Sequence, residues 1–271
     1  MSSLGKGQGV VNGATSNAFI GFFNRLKVTR SVLVIIEEVD AILHKSNQAS
    51  FLFIVRNLEK LGYHWRVRIL DSSKYGAAQQ RKRAYLVCAL DSAVISAFVW
   101  PSRTRKARSS SLVDALLPPG NAHRTLFLNT KSKLVRVLSH PENGLPRPVN
   151  GKVNSRVASV FRDTVHLLSS ARSCVATITA SRSSGLYIWE NQELRHLARE
   201  EALRLFSFTA DEVEEFTKAR MRLKISSLQL AEMTGDSFVV TIVAKLMRAL
   251  VDAFSAVVSD EKKEQWSKKC Q

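Results

Sequence analysis

The residues of this sequence best placed to do chemistry are an acid, Glu37, and a tight run of cations, Arg81-Lys82-Arg83. Glu37 follows Val32-Leu33-Val34-Ile35-Ile36, a continuous apolar run of the kind that forms a buried parallel strand. In open α/β sheets ligands collect beyond the carboxyl ends of strands, so an acid there marks a candidate site, although a helix-capping or solvated acid has the same local appearance. The three cations close the loop Tyr75-Gly76-Ala77-Ala78-Gln79-Gln80. Taken alone they read equally as a solvated basic turn or a localisation signal. Cys88, Cys174 and Cys270 lie far apart without paired spacing, which argues against a zinc site and fits a reducing compartment.

The elements that must position these groups are readable from periodicity. Phe19, Ile20, Phe22, Phe23 and Leu26 recur with a helical period ahead of the strand around residues 32–36. Phe51, Ile54, Val55, Leu58 and Leu61 predict a second helix, stopped by Gly62, which can take the left-handed conformation of a helix end. Trp65, Val67, Ile69 and Leu70, with Arg66 and Arg68 interleaved, predict a strand that Asp71-Ser72-Ser73 breaks. A further strand is predicted from Ala84 to Leu90, which encloses Cys88 and leaves Arg83 in the loop.

A chain of 271 residues, 45% of them hydrophobic, can bury a sizeable core. No run of about 18 apolar residues predicts a membrane span, and the Gly- and Ser-rich start lacks a secretory signal, so an intracellular protein is expected. The net charge of +17 calls for a polyanionic partner, nucleic acid first. Between Pro101 and Val160 eleven cations face only Asp114 and Glu142, and phosphate contacts are expected there.

Several short motifs stand in a telling order: Glu37-Glu38-Val39; Leu61-Gly62-Tyr63 followed by a strand and Gln79-x-Arg81-x-Arg83; Thr177-Ile178-Thr179; Arg195-x-Leu197 through Glu201-Ala202-x-Arg204-Leu205 to Phe208; and Gly235-Asp236-Ser237-Phe238 before a long helix. This series resembles the DNA cytosine-5 methyltransferase family. The resemblance implies an α/β fold, an incomplete Rossmann-like methyltransferase sheet with a small basic target-recognition insert. It divides the chain into a catalytic portion over 1–97, a linker and target-recognition region over 98–173, a return to the catalytic domain over 174–259, and a charged tail over 260–271. A disordered basic insert is the competing reading of the region after Gly120. The helix carrying Arg195 to Leu205, read without the family, is amphipathic with i,i+4 charge pairs.

The resemblance also assigns roles. Glu37 would hold N3 and the amino group of a flipped-out cytosine, and Arg83 would reach its O2 while pairing with Glu37. Gln79 and Arg81 would bind on the substrate side by ordering the loop, and Asp236 and Ser237 would lie near S-adenosylmethionine, the methyl donor. Double-stranded DNA is the implied partner, with DNA as the intracellular location. Ser2, Gly5 and Gly9 match only the end of the family's nucleophile loop, so its cysteine would fall just before Met1, and none of the three cysteines replaces it. The sheet would then end in an unpaired edge at Val32–Ile36, giving a chain marginally stable and inactive alone. It would be a fragment, a partner of the missing N-terminal half or of a second methyltransferase chain, or a catalytically dead DNA-binding regulator. Departures from the family pattern are Ala78 for Pro, Glu38 for Asn, Glu200 for Arg, Phe206 for Gln, Thr209 for Pro and Asp236 for Asn.

Overall fold

A computed structural model of the chain describes residues 14–104, 112–117, 156–161, 164–167, 175–178, 186–190 and 193–260. Two compact units share the chain: unit 1 takes 1–71, 82–102 and 242–271, and unit 2 takes 72–81 and 103–241.

In unit 1, α1 (Ala14–Thr29) buries Phe23 and Leu26, and the apolar run expected as a strand forms β1 (Leu33–Val39). Short 3-10 turns lead to α2 (Gln48–Lys60), which buries Ile54, Val55 and Leu58 on one face. The predicted stop at Gly62 is a Schellman end: the Gly62 N–H donates to Glu59 O at 2.9 Å and the Tyr63 N–H to Leu58 O at 3.0 Å. Gly62 has φ +84°, whereas a Cβ there would meet nothing within 4 Å. Glycine is therefore required for its backbone angle, not for space.

The sheet of unit 1 continues with β2 (His64–Asp71) and β4 (Lys82–Ala89), where β3 denotes the two residues Gln79–Gln80 of unit 2. Its order is β1-β4-β2, with β4 antiparallel to both neighbours. Against the expectation of a buried parallel strand, β1 is half-covered and its described pairing, with β4, is antiparallel; the strand buried throughout from Ala84 is β4, the central one. Among the described residues β1 is an edge strand. Val34, Ile36, Ala84, Leu86 and Cys88 form one face of the sheet and pack with the helical residues Phe23, Leu26, Ile54, Val55 and Leu58. Full burial of such a side chain contributes about 1.5–3 kcal/mol, so this cluster stabilises the unit substantially. After β4, α3 (Ser92–Ala97) is capped by Asp91, whose Oδ1 accepts from the Ala93 N–H at 2.9 Å.

Unit 2 holds β3, α4 (Leu112–Ala115), β5 (Arg156–Phe161), β6 (Thr164–Leu167), β7 (Val175–Ala176), β8 (Leu186–Glu190), β9 (Glu193–His196), α5 (Arg199–Leu205), α6 (Ala210–Arg222) and α7 (Ser227–Asp236). β3 pairs in parallel with β7, and β6-β5-β8-β9 make an antiparallel sheet. The weakly patterned stretch after Gly120 thus contributes two strands, and in place of the strand expected at Thr177–Ala180 the described strand is Val175–Ala176, with Thr177 and Ile178 following it outside regular structure and 179–180 outside the described residues. Arg195, expected on a helix, lies on β9, and the expected helix begins only at Arg199. Ala77, Ala78, Val175, Ile178, Ala202, Leu205, Phe206 and Val239 form the buried cluster of this unit. Thr209, standing where the family pattern has Pro, caps α6: its Oγ1 accepts from the Glu212 N–H, and Glu212 reaches back to the Thr209 N–H at 2.7 Å.

The final helix, α8 (Val240–Val257), starts later than Gly235-Asp236-Ser237 suggested, because those residues end α7 instead. Its buried stripe is Ile242, Leu246, Leu250 and Ala253. Met247 and Val257, expected on the packed face, are 56% and 40% exposed. The nucleophile-loop residues Ser2, Gly5 and Gly9, most of the basic insert, Cys174, Cys270 and nearly all of the charged tail lie outside the described residues.

Candidate functional site

Strand register brings Glu37 and Arg83 together. Residues opposite each other in an antiparallel pair project from the same face, and Glu37 faces Tyr85 while Val39 faces Arg83. Glu37 and Arg83 are therefore diagonal neighbours, within reach of long side chains. The Arg83 Nε lies 3.9 Å from Glu37 Oε1, and the Tyr85 hydroxyl donates to the same oxygen at 3.3 Å. Arg83 belongs to β4 and not to the preceding loop, which is why it reaches β1 at all. The two charged side chains are 13% and 18% exposed, open enough to meet a ligand and enclosed enough to strengthen its hydrogen bonds.

Glu38, next along β1, projects from the opposite face, the one the helices cover. Burial pushes its carboxyl above the ordinary glutamate value, against the smaller opposing pull of the Val39 N–H, which donates to Oε2 at 3.2 Å, and of Arg83. One strand thus presents two acids in different environments.

Gln79 and Arg81 lie in unit 2. Ser72 organises their loop: its hydroxyl donates to Gln79 O and accepts from the Arg81 N–H at 2.9 Å, and its own N–H donates to Arg81 O at 3.0 Å. The sequence signal for this residue was no more than a strand-breaking serine. Arg81 is buried, donates from Nη1 to Ile178 O at 2.9 Å, and stacks on Phe206 with its guanidinium 5.3 Å from the ring centroid. Gln79 is fully buried, and neither side-chain amide atom has a hydrogen-bond partner among the described residues. Both residues are thus built into the interior of the unit.

A second Arg–Glu pair, which periodicity missed, joins two positions of the Arg195-to-Phe208 motif. Glu201 accepts from Arg195 Nη1 at 2.7 Å and Nη2 at 2.8 Å, from the Ala198 N–H at 2.9 Å and from the Leu117 N–H at 2.9 Å. The side chains are 3% and 0% exposed, so this pair is structural.

Asp236 ends α7 and is exposed; Ser237 is its C-cap, and the Ser237 hydroxyl donates to Met233 O at 2.8 Å. Burial pushes the Cys88 thiol up to about 12, so it is protonated at neutral pH and unsuited to nucleophilic attack. Among the described residues no group of His, Cys, Asp and Glu could hold a metal ion, and no helix is long and apolar enough to cross a membrane.

The fold is that of α/β methyltransferases. Solved structures with similar folds include the Entamoeba histolytica methyltransferase EhMeth (TM-score 0.59, 13% identity, covering 92% of this chain and 71% of that one) and the S. pombe Dnmt2 methyltransferase (TM-score 0.54, 16% identity, 88% and 73%). A Type II methyltransferase, M.MspI of Moraxella sp, is 21% identical over 257 residues, covering 94% of this chain. The model of the C-5 cytosine-specific DNA methylase family matches residues 1–252, and the chain belongs to that family. It spans 54% of the length of M.MspI.

Membership implies S-adenosylmethionine as the usual methyl donor. Of the two residues assigned to it, Asp236 stands exposed at the end of α7, and the Ser237 hydroxyl donates to Met233 O while keeping its acceptor lone pairs.

Proposed function

We propose that this chain is the base-holding and DNA-binding part of a DNA cytosine-5 methyltransferase. The observation that carries the reading is the approach of Glu37 and Arg83 on one face of β1 and β4. Carbon 5 of cytosine is a poor nucleophile, and a thiolate must add at carbon 6 before it can accept a methyl group. That addition pushes electron density toward N3 and O2. Glu37 would hydrogen-bond N3 and the exocyclic amino group, while Arg83 would stabilise charge at O2. The base reaches such a pocket only when flipped out of the duplex. Gln79 and Arg81 would act indirectly, by ordering the loop that leads into β4. Residues 98–173 would supply target recognition through their cations within a small basic insert, 174–259 the return to the Rossmann-like catalytic domain, and 260–271 a charged tail.

Among the described residues Cys88 is buried with its thiol held protonated, so an activated thiolate and a complete cofactor site would be supplied by other residues or by a second methyltransferase chain. A second reading, a catalytically dead DNA-binding regulator or partner subunit, is favoured by the burial of Cys88, which holds its thiol protonated. Either way the chain would work on DNA inside the cell.

The test measures binding of the whole chain to S-adenosylmethionine and to duplex DNA in parallel. Expected is DNA binding that weakens with salt, tighter when the target cytosine is mispaired and cheap to flip, without cofactor binding. Glu37→Gln should abolish the preference for mispaired cytosine and leave general DNA binding intact. A preference unchanged by Glu37→Gln would remove the acid from the site. Methyl transfer on adding a complementary methyltransferase segment would then decide against the regulator, and in that assembly Glu37→Gln should slow transfer at least about tenfold.

A further inference from the structure

We propose that Tyr85 is the positioning residue for Glu37: its hydroxyl fixes the orientation in which the carboxylate meets a bound base. The role of that carboxylate rests on the function proposed above; the contact itself does not.

Tyr85 faces Glu37 directly in the β1–β4 register, so their side chains emerge side by side from one face. It is only 1% exposed, and it sits on the central strand, buried throughout from Ala84. Its phenol is thus held in place by its surroundings, while Glu37 stands on a strand that has a sheet neighbour on one side only among the described residues. The partly buried hydroxyl donates to Oε1 at 3.3 Å. Arg83 approaches the same oxygen at 3.9 Å, beyond hydrogen-bond range, and its Nη1 donates to Lys82 O at 2.8 Å. Of these two groups, the guanidinium supplies charge and the phenol supplies direction. Phenylalanine would fill the same space without a donor, so the hydroxyl is the part of this side chain that packing does not explain.

The perturbation to read is the proton affinity of Glu37 itself, because a donor to a carboxylate favours its ionised form. The whole chain, labelled with 13C at glutamate Cδ, is titrated by NMR as parent, Tyr85→Phe and Glu37→Gln, the last to assign the signal. The surrounding charges are common to parent and Tyr85→Phe: Arg83 on β4, Arg68 in register with Tyr85 on β2, and Glu38 on the other face of β1. Expected is a titration midpoint displaced upward in Tyr85→Phe, by up to about tenfold in proton affinity, with the melting curve little changed. A folded Tyr85→Phe whose Glu37 midpoint matches the parent would overturn the proposal and leave Tyr85 a core residue. Should Tyr85→Phe fail to fold, 3-fluorotyrosine at the same position, a stronger donor, must displace the midpoint downward, and no displacement overturns it equally. If the midpoint moves but Glu37→Gln leaves the preference for mispaired cytosine intact, the hold of Tyr85 on Glu37 stands and the base-holding function falls.

Discussion

Breaking the buried Arg195–Glu201 pair should unsettle unit 2 in a way that depends on which partner is removed. The Glu201 carboxylate receives four N–H donors, two from Arg195 and one each from Ala198 and Leu117, and is 0% exposed. Removing one member of a buried pair costs about 3–5 kcal/mol, chiefly because the other charge is stranded. Arg195→Met leaves Glu201 with its two backbone donors, which places its cost near the lower figure of about 3 kcal/mol. Glu201→Gln strands a guanidinium that cannot lose its proton and also forfeits an acceptor for a buried N–H, which places it near about 5 kcal/mol. The double variant strands no charge, so it should cost less than either single change. Urea unfolding, followed by a probe confined to unit 2, gives the three values, and a constant m-value checks that the transitions are comparable. Two single variants that each cost under about 1 kcal/mol and add in the double would refute the reasoning, since that is the behaviour of a solvated pair.

Two further outcomes follow from other buried polar groups. Gln79→Met keeps the size of a fully buried side chain and removes two amide atoms that have no described partner, so it should raise the urea midpoint by about 1 kcal/mol of stability; a fall would mean the amide is hydrogen-bonded in solution. Glu38 has a folded-state proton affinity raised by burial, so its favourable contribution is present below its ordinary value of 4.5 and is lost as pH rises through the higher folded-state value. Glu38→Gln should therefore melt higher than the parent at pH 7 and lose that advantage at pH 4, and equal differences at both values would exclude Glu38 as the cause.

Helices were legible where an apolar period met an explicit stop, as at Leu58, Leu61 and Gly62. The Glu37–Arg83 pair was legible only through the order of motifs, because its geometry depends on the register of β1 against β4, and nothing local in either segment encodes that register. The direction of the strand beside β1 is not legible locally either: Val32 to Ile36 is apolar at every position, and such a run does not reveal whether a neighbour runs with it or against it. At Gly235-Asp236-Ser237 the sequence offers a glycine and a potential cap, signals that serve a helix end as well as a helix start, and here they close α7. Arg195 reads as part of the amphipathic helix that follows it, whereas it lies on β9 and its partner Glu201 lies across a strand-to-helix turn. Ser72, with hydrogen bonds to both ends of the Gln79–Arg81 loop, carried no signal beyond breaking a strand.

The Gln-x-Arg-x-Arg motif shows why a spacing of two does not mean a single task. Gln79, Arg81 and Arg83 would share one face of an uninterrupted strand, yet Arg81 is the break between β3 and β4. Before the break the side chains turn into unit 2, where Arg81 is held by the Ile178 carbonyl and the Phe206 ring. After it, Arg83 projects beside Glu37 in unit 1. The arginines therefore differ in what substitution can do to them. Lysine at 81 would lose the planar stack and the fixed donor direction, and so disturb the fold of its loop. Lysine at 83 keeps a charge near Glu37 but not the fork geometry a base oxygen would meet, and so disturbs recognition first. The exposures of the two Arg–Glu pairs divide in the same way: 13% and 18% for Arg83 and Glu37, 3% and 0% for Arg195 and Glu201. A closed pair can only hold the protein together, whereas an open pair on a sheet face is available to a ligand, which is the physical ground for placing the chemistry at Glu37.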